Sequence, residues 1–142
     1  MKIDKLLRLD FLPRSTDFGL LVLRVWIGAS MLILHGWGKL TDFGGMSEKF
    51  LNLFGMGTKV SLGLAIFGEV VCSALLILGL FSRFAALCLI ITMLVAFAIA
   101  HNAILRGPGS GEMAFIYLST YVLLFITGPG RFSIDAKMGG KV

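Results

Sequence analysis

Four long apolar runs dominate the chain, at residues 18–37, 60–80, 84–105 and 112–127, with polar or glycine-bearing segments between them. A bilayer core of about 30 Å needs roughly 20 helical residues at ~1.5 Å each, so every run matches or approaches the length of a transmembrane helix. The runs are continuous rather than alternating and are longer than barrel strands, which excludes the other spanning architecture. The pattern predicts an all-α integral membrane four-helix bundle, a single transmembrane domain over residues 1–142.

The breaks between runs carry further information. Phe81-Ser82-Arg83 is short enough to force the second and third helices into an antiparallel pair, while Arg-Gly-Pro-Gly-Ser-Gly at 106–111 and Gly128-Pro129-Gly130 close the third and fourth runs. In the first connection Phe43, Met46, Phe50, Leu53 and Phe54 recur at helical spacing among polar residues. That segment reads as an amphipathic cap, or as a loop folded over the bundle mouth. At the other end of the chain, Ile3, Leu6 and Leu7 with Lys2, Lys5 and Arg8 suit a short helix in the headgroup layer. The opening does not read as a signal peptide, since the apolar run after it is span-length, lacks a small-residue cleavage site and contains Arg24.

Composition agrees with a membrane class: hydrophobic residues make up 57% of the chain and the mean hydropathy is +0.92. Charge adds the orientation. Lys2, Lys5, Arg8 and Arg14 precede the first run, Arg83 occupies the second connection, and Arg131, Lys137 and Lys141 follow the fourth; Lys39, Lys49, Lys59 and Arg106 lie on the other side. This bias predicts both termini in the cytoplasm. The net charge of +5 comes from basic residues distributed over the ends of the runs, so it points to the lipid bilayer and not to nucleic acid.

Candidate chemistry begins with the charges inside the runs. Arg24 lies about a third of the way along the first, where a cation costs ~3 kcal/mol or more unless it has a partner or a water-filled cavity. Glu69, near the centre of the second run, is the expected partner; such a pair serves either as a lock between two helices or as a functional site. Nearer the outer ends stand His35, His101 and Glu112. Arg24 and His35 are eleven residues apart, three turns plus about 20°, and so share one helix face. His35, His101 and Glu112 can surround a polar pocket floored by Glu69, or satisfy helix ends and headgroups; no HxxxH or ExxH spacing supports a metal. Tyr117, Thr120 and Tyr121 put hydroxyls in the fourth run, as interhelical glue or as donors to a carbonyl ligand such as a quinone. Ser61 with Ala65, and Ala96 with Ala100, have the spacing for close helix approach.

Cys72 and Cys88 form no CxxC and lie inside apolar runs, which reads as inert packing and not as a catalytic dithiol, although the two could touch across the second hairpin. No GxSxG, phosphate loop, Rossmann glycine pattern or HExxH is present.

Taken together, LRVWIGASMLILHGWGKL, FGEVVCSALLILGLFSRFAAL, the stretch from Met93 to His101 and GPGRFSIDAKM resemble the DoxX-like membrane proteins of bacteria, over nearly the whole chain. The resemblance implies a multi-pass protein of the bacterial inner membrane with four spans. It also implies association with a sulfur-oxidising, quinone-reducing system, or with thiol and oxidative-stress complexes. The motif positions are Arg24, His35, Gly36, Lys39, Glu69, Gly79, Arg83, His101, Gly128, Pro129, Gly130, Arg131 and Asp135.

From residues and resemblance together we expect a subunit of a membrane oxidoreductase system with a quinone between its helices. Glu69, Arg24, His35 and His101 would carry the chemistry, and Glu112, Lys39, Tyr117 and Tyr121 would contact the ligand. Expected partners are the bilayer, an oxidoreductase subunit and a second copy of the chain. The rival expectation is a transporter, lipid-binding scaffold or assembly factor that catalyses nothing. The chain offers no haem, flavin or CxxC motif, so electron transfer would need a partner subunit or a bound cofactor.

Overall fold

A computed structural model describes residues 3–141, and among them every regular element is helical. Residues Ile3–Leu7 form the expected short helix, α1, although Lys2 and the side chains of Lys5 and Leu6 lie outside the described residues. Helix α2 (Thr16–Thr41) starts at Ser15, whose Oγ accepts from Phe18 N at 3.2 Å, and runs past both ends of the expected first span. Short helix α3 (Phe43–Ser47) and a 3-10 turn at Leu53–Gly55 form the connection. Helix α4 (Thr58–Leu78) leads through the Gly79 turn into α5 (Ser82–Ala100), and α6 (Glu112–Thr127) precedes a last short helix, α7 (Ile134–Lys137).

Helices α2, α4 and α5 are long and apolar enough to cross a membrane, and α6 is apolar but only 16 residues long. The charge distribution is that of a lipid-embedded bundle: Trp26, Leu34 and Ile126 are more than 70% exposed, while Arg24 is 1% and Glu69 6% exposed. Among these helices α5 packs most extensively on α6, and α2 on the last turns of α4.

Close approach occurs at glycines. A Cβ at Gly28 would lie 2.8 Å from Ile77 Cγ1, and one at Gly36 would lie 2.7 Å from Val70 Cγ2 and 2.9 Å from Glu69 O. The small residues expected to bring helices together do something else: Ser61, Ala65, Ala96 and Ala100 all line a cavity. Where α2 lacks a Cβ it touches α4, and where Ser61, Ala65, Ala96 and Ala100 stand α4 and α5 leave space.

Each of α2, α4 and α5 contains a π-helical segment, at Leu32–Gly36, Phe67–Cys72 and Ala96–Ala100. His35 and Glu69 lie within two of these segments, and His101 follows the third. Such segments interrupt the i→i−4 ladder and recur at functional sites. The third segment also ends α5 at Ala100, earlier than expected, because Asn102 and Ala103 take positive φ. His101 is therefore a cap residue and not part of the span.

Candidate functional site

The cavity has a volume of about 810 Å³ and is enclosed by α2, α4, α5, α6 and the α3–α4 connection. Lys49 and Phe50 of that connection roof it, as the amphipathic pattern anticipated. Most of the wall is apolar. The polar groups converge on one side, where Lys39 Nζ contacts Glu69 Oε2 at 2.6 Å and donates to His35 O at 3.1 Å. Both side chains are largely shielded, at 17% and 8% exposure. The His35 ring stands edge-on to Tyr117 at 5.5 Å, and Tyr117 stacks on Tyr121 at 6.0 Å.

Leu64 and Phe67 of α4 and Ile91 of α5 line the cavity and remain 50%, 42% and 55% exposed. The wall between α4 and α5 is thus incompletely packed. The packing agrees: α5 meets α4 mainly from Phe67 onward, while Thr58–Ile66 packs on the connection and on the end of α2.

Arg24 does not pair with Glu69, which corrects the sequence expectation. Its guanidinium donates to Leu76 O at 3.4 Å, to Ile77 O at 3.3 Å and to Phe132 O. The reason is side-chain direction: in a helix each Cβ leans toward the N-terminus, so Arg24 reaches back from α2 toward the last turn of the antiparallel α4. There it caps carbonyls at the negative end of the helix. Lys39 leans back down α2 and Glu69 leans back up α4, so these two meet instead.

Asp135 completes this second cluster. Its carboxylate accepts from Phe81 N at 2.8 Å and Ser82 N at 2.9 Å, at the positive start of α5, and its own N–H donates to Gly79 O at 2.9 Å. Burial pushes this carboxyl up, but hydrogen bonds from Ser82 and Phe81, with the charge of Arg24, outweigh it and hold the pKa below the usual carboxylate value. The Gly-Pro-Gly-Arg-Phe-Ser-Ile-Asp tail is thus a clasp: Arg24 and Asp135 cover opposite ends of two helices at one turn. Gly79 takes φ +69 there, and a Cβ would collide with Arg24 and Ser133.

The other expected site residues divide. His35, Lys39, Glu69, His101 and Tyr117 line the cavity, with His101 Nδ1 2.8 Å from Gly109 O of the next loop. Tyr121 is wholly buried beneath Tyr117 and its hydroxyl has no protein partner. Glu112 is exposed in the first turn of α6 and does not line the cavity. Among the described residues no group of three metal-ligating side chains comes together.

Sequence reasoning missed the Lys39–Glu69 pair and the Asp135 cap. Cys72 is wholly buried, and Cys88 is half-buried on the cavity wall.

The sequence profile of the DoxX family matches residues 19–102. The chain belongs to the DoxX family. The matched segment runs from α2 to just past α5 and holds Arg24, Lys39, Glu69, both histidines and both cysteines. Similar proteins include an uncharacterized protein of Haemophilus influenzae, 31% identical over 92% of this chain and 98% of its own length. They also include the inner membrane protein YqjF of Escherichia coli, 32% identical over 92% of this chain and 99% of its own. No solved structure matches the chain. With its apolar helices and these relatives, this DoxX-family protein is a multi-pass protein of the bacterial inner membrane.

Proposed function

We propose that the cavity binds a quinone or another small lipophilic redox molecule. The chain then serves a membrane-associated oxidoreductase system as a four-span subunit with both termini in the cytoplasm. The observation that carries this reading is the cavity itself: about 810 Å³, mostly apolar, with Lys39, Glu69, His35 and Tyr117 gathered on one side. Small-molecule sites have this form, an apolar enclosure with a few convergent polar groups that fix orientation.

Each polar group has a role in that reading. Lys39 Nζ donates to a ligand carbonyl oxygen, Glu69 exchanges a proton with it, Tyr117 supplies a hydroxyl, and His35 and His101 relay protons toward the roof. Arg24, Tyr121 and Glu112 take no part. Arg24 holds the clasp, Tyr121 supports Tyr117, and Glu112 favours the start of α6.

The test is equilibrium binding of a short-chain ubiquinone analogue to the protein in nanodiscs. Glu69→Gln and His35→Ala are expected to weaken binding several-fold without unfolding, since each removes a hydrogen bond in a poorly solvated site. No binding by the wild type, with only phospholipid recovered from the purified protein, would replace this reading with a lipid-binding scaffold or transporter.

A further inference from the structure

The two sides of the cavity differ in chemistry. On the α2 and α6 side stand Lys39, His35 and Tyr117, with Glu69 of α4 paired to Lys39. On the α4 and α5 side the hydroxyls are already engaged by the backbone. Ser61 Oγ donates to Gly57 O at 2.8 Å and accepts from Leu53 N at 2.9 Å, and Thr92 Oγ1 donates to Cys88 O at 2.9 Å. With Leu64, Ile91 and Val95 beside them, that wall offers a ligand an apolar surface. Its shape follows from the register of the two helices. A Cβ at Gly68 would lie 3.3 Å from Thr92 Cβ, so these residues stand at one level of the antiparallel pair. Ala65 and Ser61 are three and seven residues outward from Gly68 on α4, and Ala96 and Ala100 are four and eight outward from Thr92 on α5. All four line the cavity, two small side chains across from two. Ser61, Ala65 and Glu69 are spaced by four on one side of α4, so this slot is continuous with the polar end of the cavity. It runs outward from the level of Glu69 for on the order of 10 Å, to Leu53 of the roof, which Ser61 holds.

We propose that the slot holds the apolar chain of the ligand, and that Ala65 and Ala96 select for quinones that carry such a chain. The inference rests on the quinone reading and narrows it to a prenylated or alkylated quinone, with its ring against Lys39 and Glu69 and the first part of its chain between α4 and α5. A bare polar ring fills only the polar end. The small side chains are what make the room: a leucine at Ala65 or Ala96 projects into the space the chain occupies. Because lipid tails are as apolar as the slot, the chain gains little there from leaving water, and the slot discriminates by shape and close contact.

The test uses the full chain in nanodiscs and two probes, the ubiquinone ring without a chain and the same ring bearing a decyl chain. Each affinity is compared with wild type in the same nanodiscs, so partition of the probe into lipid cancels. Ala96→Leu and Ala65→Leu, from opposite walls, should each weaken the decyl probe roughly tenfold, and their effect on the decyl probe should exceed that on the bare ring by about fivefold or more. Ala98→Leu adds the same bulk to α5 at an exposed position that does not line the cavity, and should leave both affinities within about twofold of wild type. Both slot variants fill empty space, so the melting temperature without ligand should hold or rise. If one of them fails to fold the other decides, and if both fail the wall is already packed and the proposal falls. Equal effects on the two probes, or the same selective loss in Ala98→Leu, would overturn the slot while the quinone reading stands. Failure of the wild type to bind either probe overturns the quinone reading and the slot with it.

Discussion

Arg24 and Glu69 give the sharpest test of which charges belong together. In the structure Arg24 bonds carbonyls at the end of α4 and sits near Asp135, while Glu69 belongs to Lys39. Arg24→Leu removes hydrogen bonds to three carbonyls, Leu76 O, Ile77 O and Phe132 O, from a fully buried position. Bonds to a charged group contribute ~1.5–3 kcal/mol each, but a buried guanidinium is itself poorly solvated, so a net loss of about 3 kcal/mol is expected. Asp135→Asn replaces the carboxylate at the start of α5 and should cost about 1 kcal/mol. The assay is unfolding free energy in detergent for a double-mutant cycle. Arg24 with Asp135 should couple by ~0.5 kcal/mol or more, and so should Lys39→Met with Glu69→Gln. Arg24→Leu with Glu69→Gln should be additive within ~0.5 kcal/mol, since the pairs share no partner. Strong coupling of Arg24 to Glu69, with none between Lys39 and Glu69, would refute the assignment of both clusters.

Stability should also depend on pH through the clasp. The folded pKa of Asp135 is depressed, so its contribution is present above the unfolded value of 3.8 and is lost as pH falls below it. A melting temperature followed below pH 5 should drop more steeply for wild type than for Asp135→Asn, and parallel curves would contradict this. Gly36→Ala puts a Cβ 2.7 Å from Val70 and 2.9 Å from the Glu69 carbonyl, so it should destabilise by ~1–3 kcal/mol and weaken ligand binding; unchanged melting would show that α2 and α4 are not in close contact there. For topology, cysteines introduced at Lys49 and Arg106 in a variant without native cysteines should react with an impermeant reagent on intact cells, whereas one at Lys137 should not. Labelling at 137 alone would invert the orientation.

The helices were legible because a bilayer demands length and continuous apolarity, and the runs at 60–80 and 112–127 match α4 and α6 to within two residues at each end. The ends that moved did so for local reasons. Ser15 caps α2 earlier than hydropathy suggested, and positive φ after His101 ends α5 before its apolar run is complete. The site was half legible: polar residues inside spans flagged His35, Glu69 and Tyr117, all of which line the cavity. Their pairing was not, because residue depth alone places Arg24 within reach of Glu69, whereas the N-terminal lean of helical side chains sends them in opposite directions. That rule needs only sequence and span direction, and it would have picked Lys39. The Asp135 cap depends on a tail folding back across the chain, and no periodicity encodes such a contact.

The central claim is that a lipid-soluble redox molecule enters between α4 and α5 and rests against Lys39 and Glu69. Photolabelling tests it most directly: a short-chain quinone carrying a photoactivatable group is bound to the protein in nanodiscs, irradiated, and the adducts are mapped by mass spectrometry. The account predicts labels on cavity residues such as Leu64, Ile91 or Tyr117, competed away by unmodified quinone and reduced in Glu69→Gln. Labels confined to lipid-facing residues such as Trp26 and Ile126, unaffected by competitor, would contradict it.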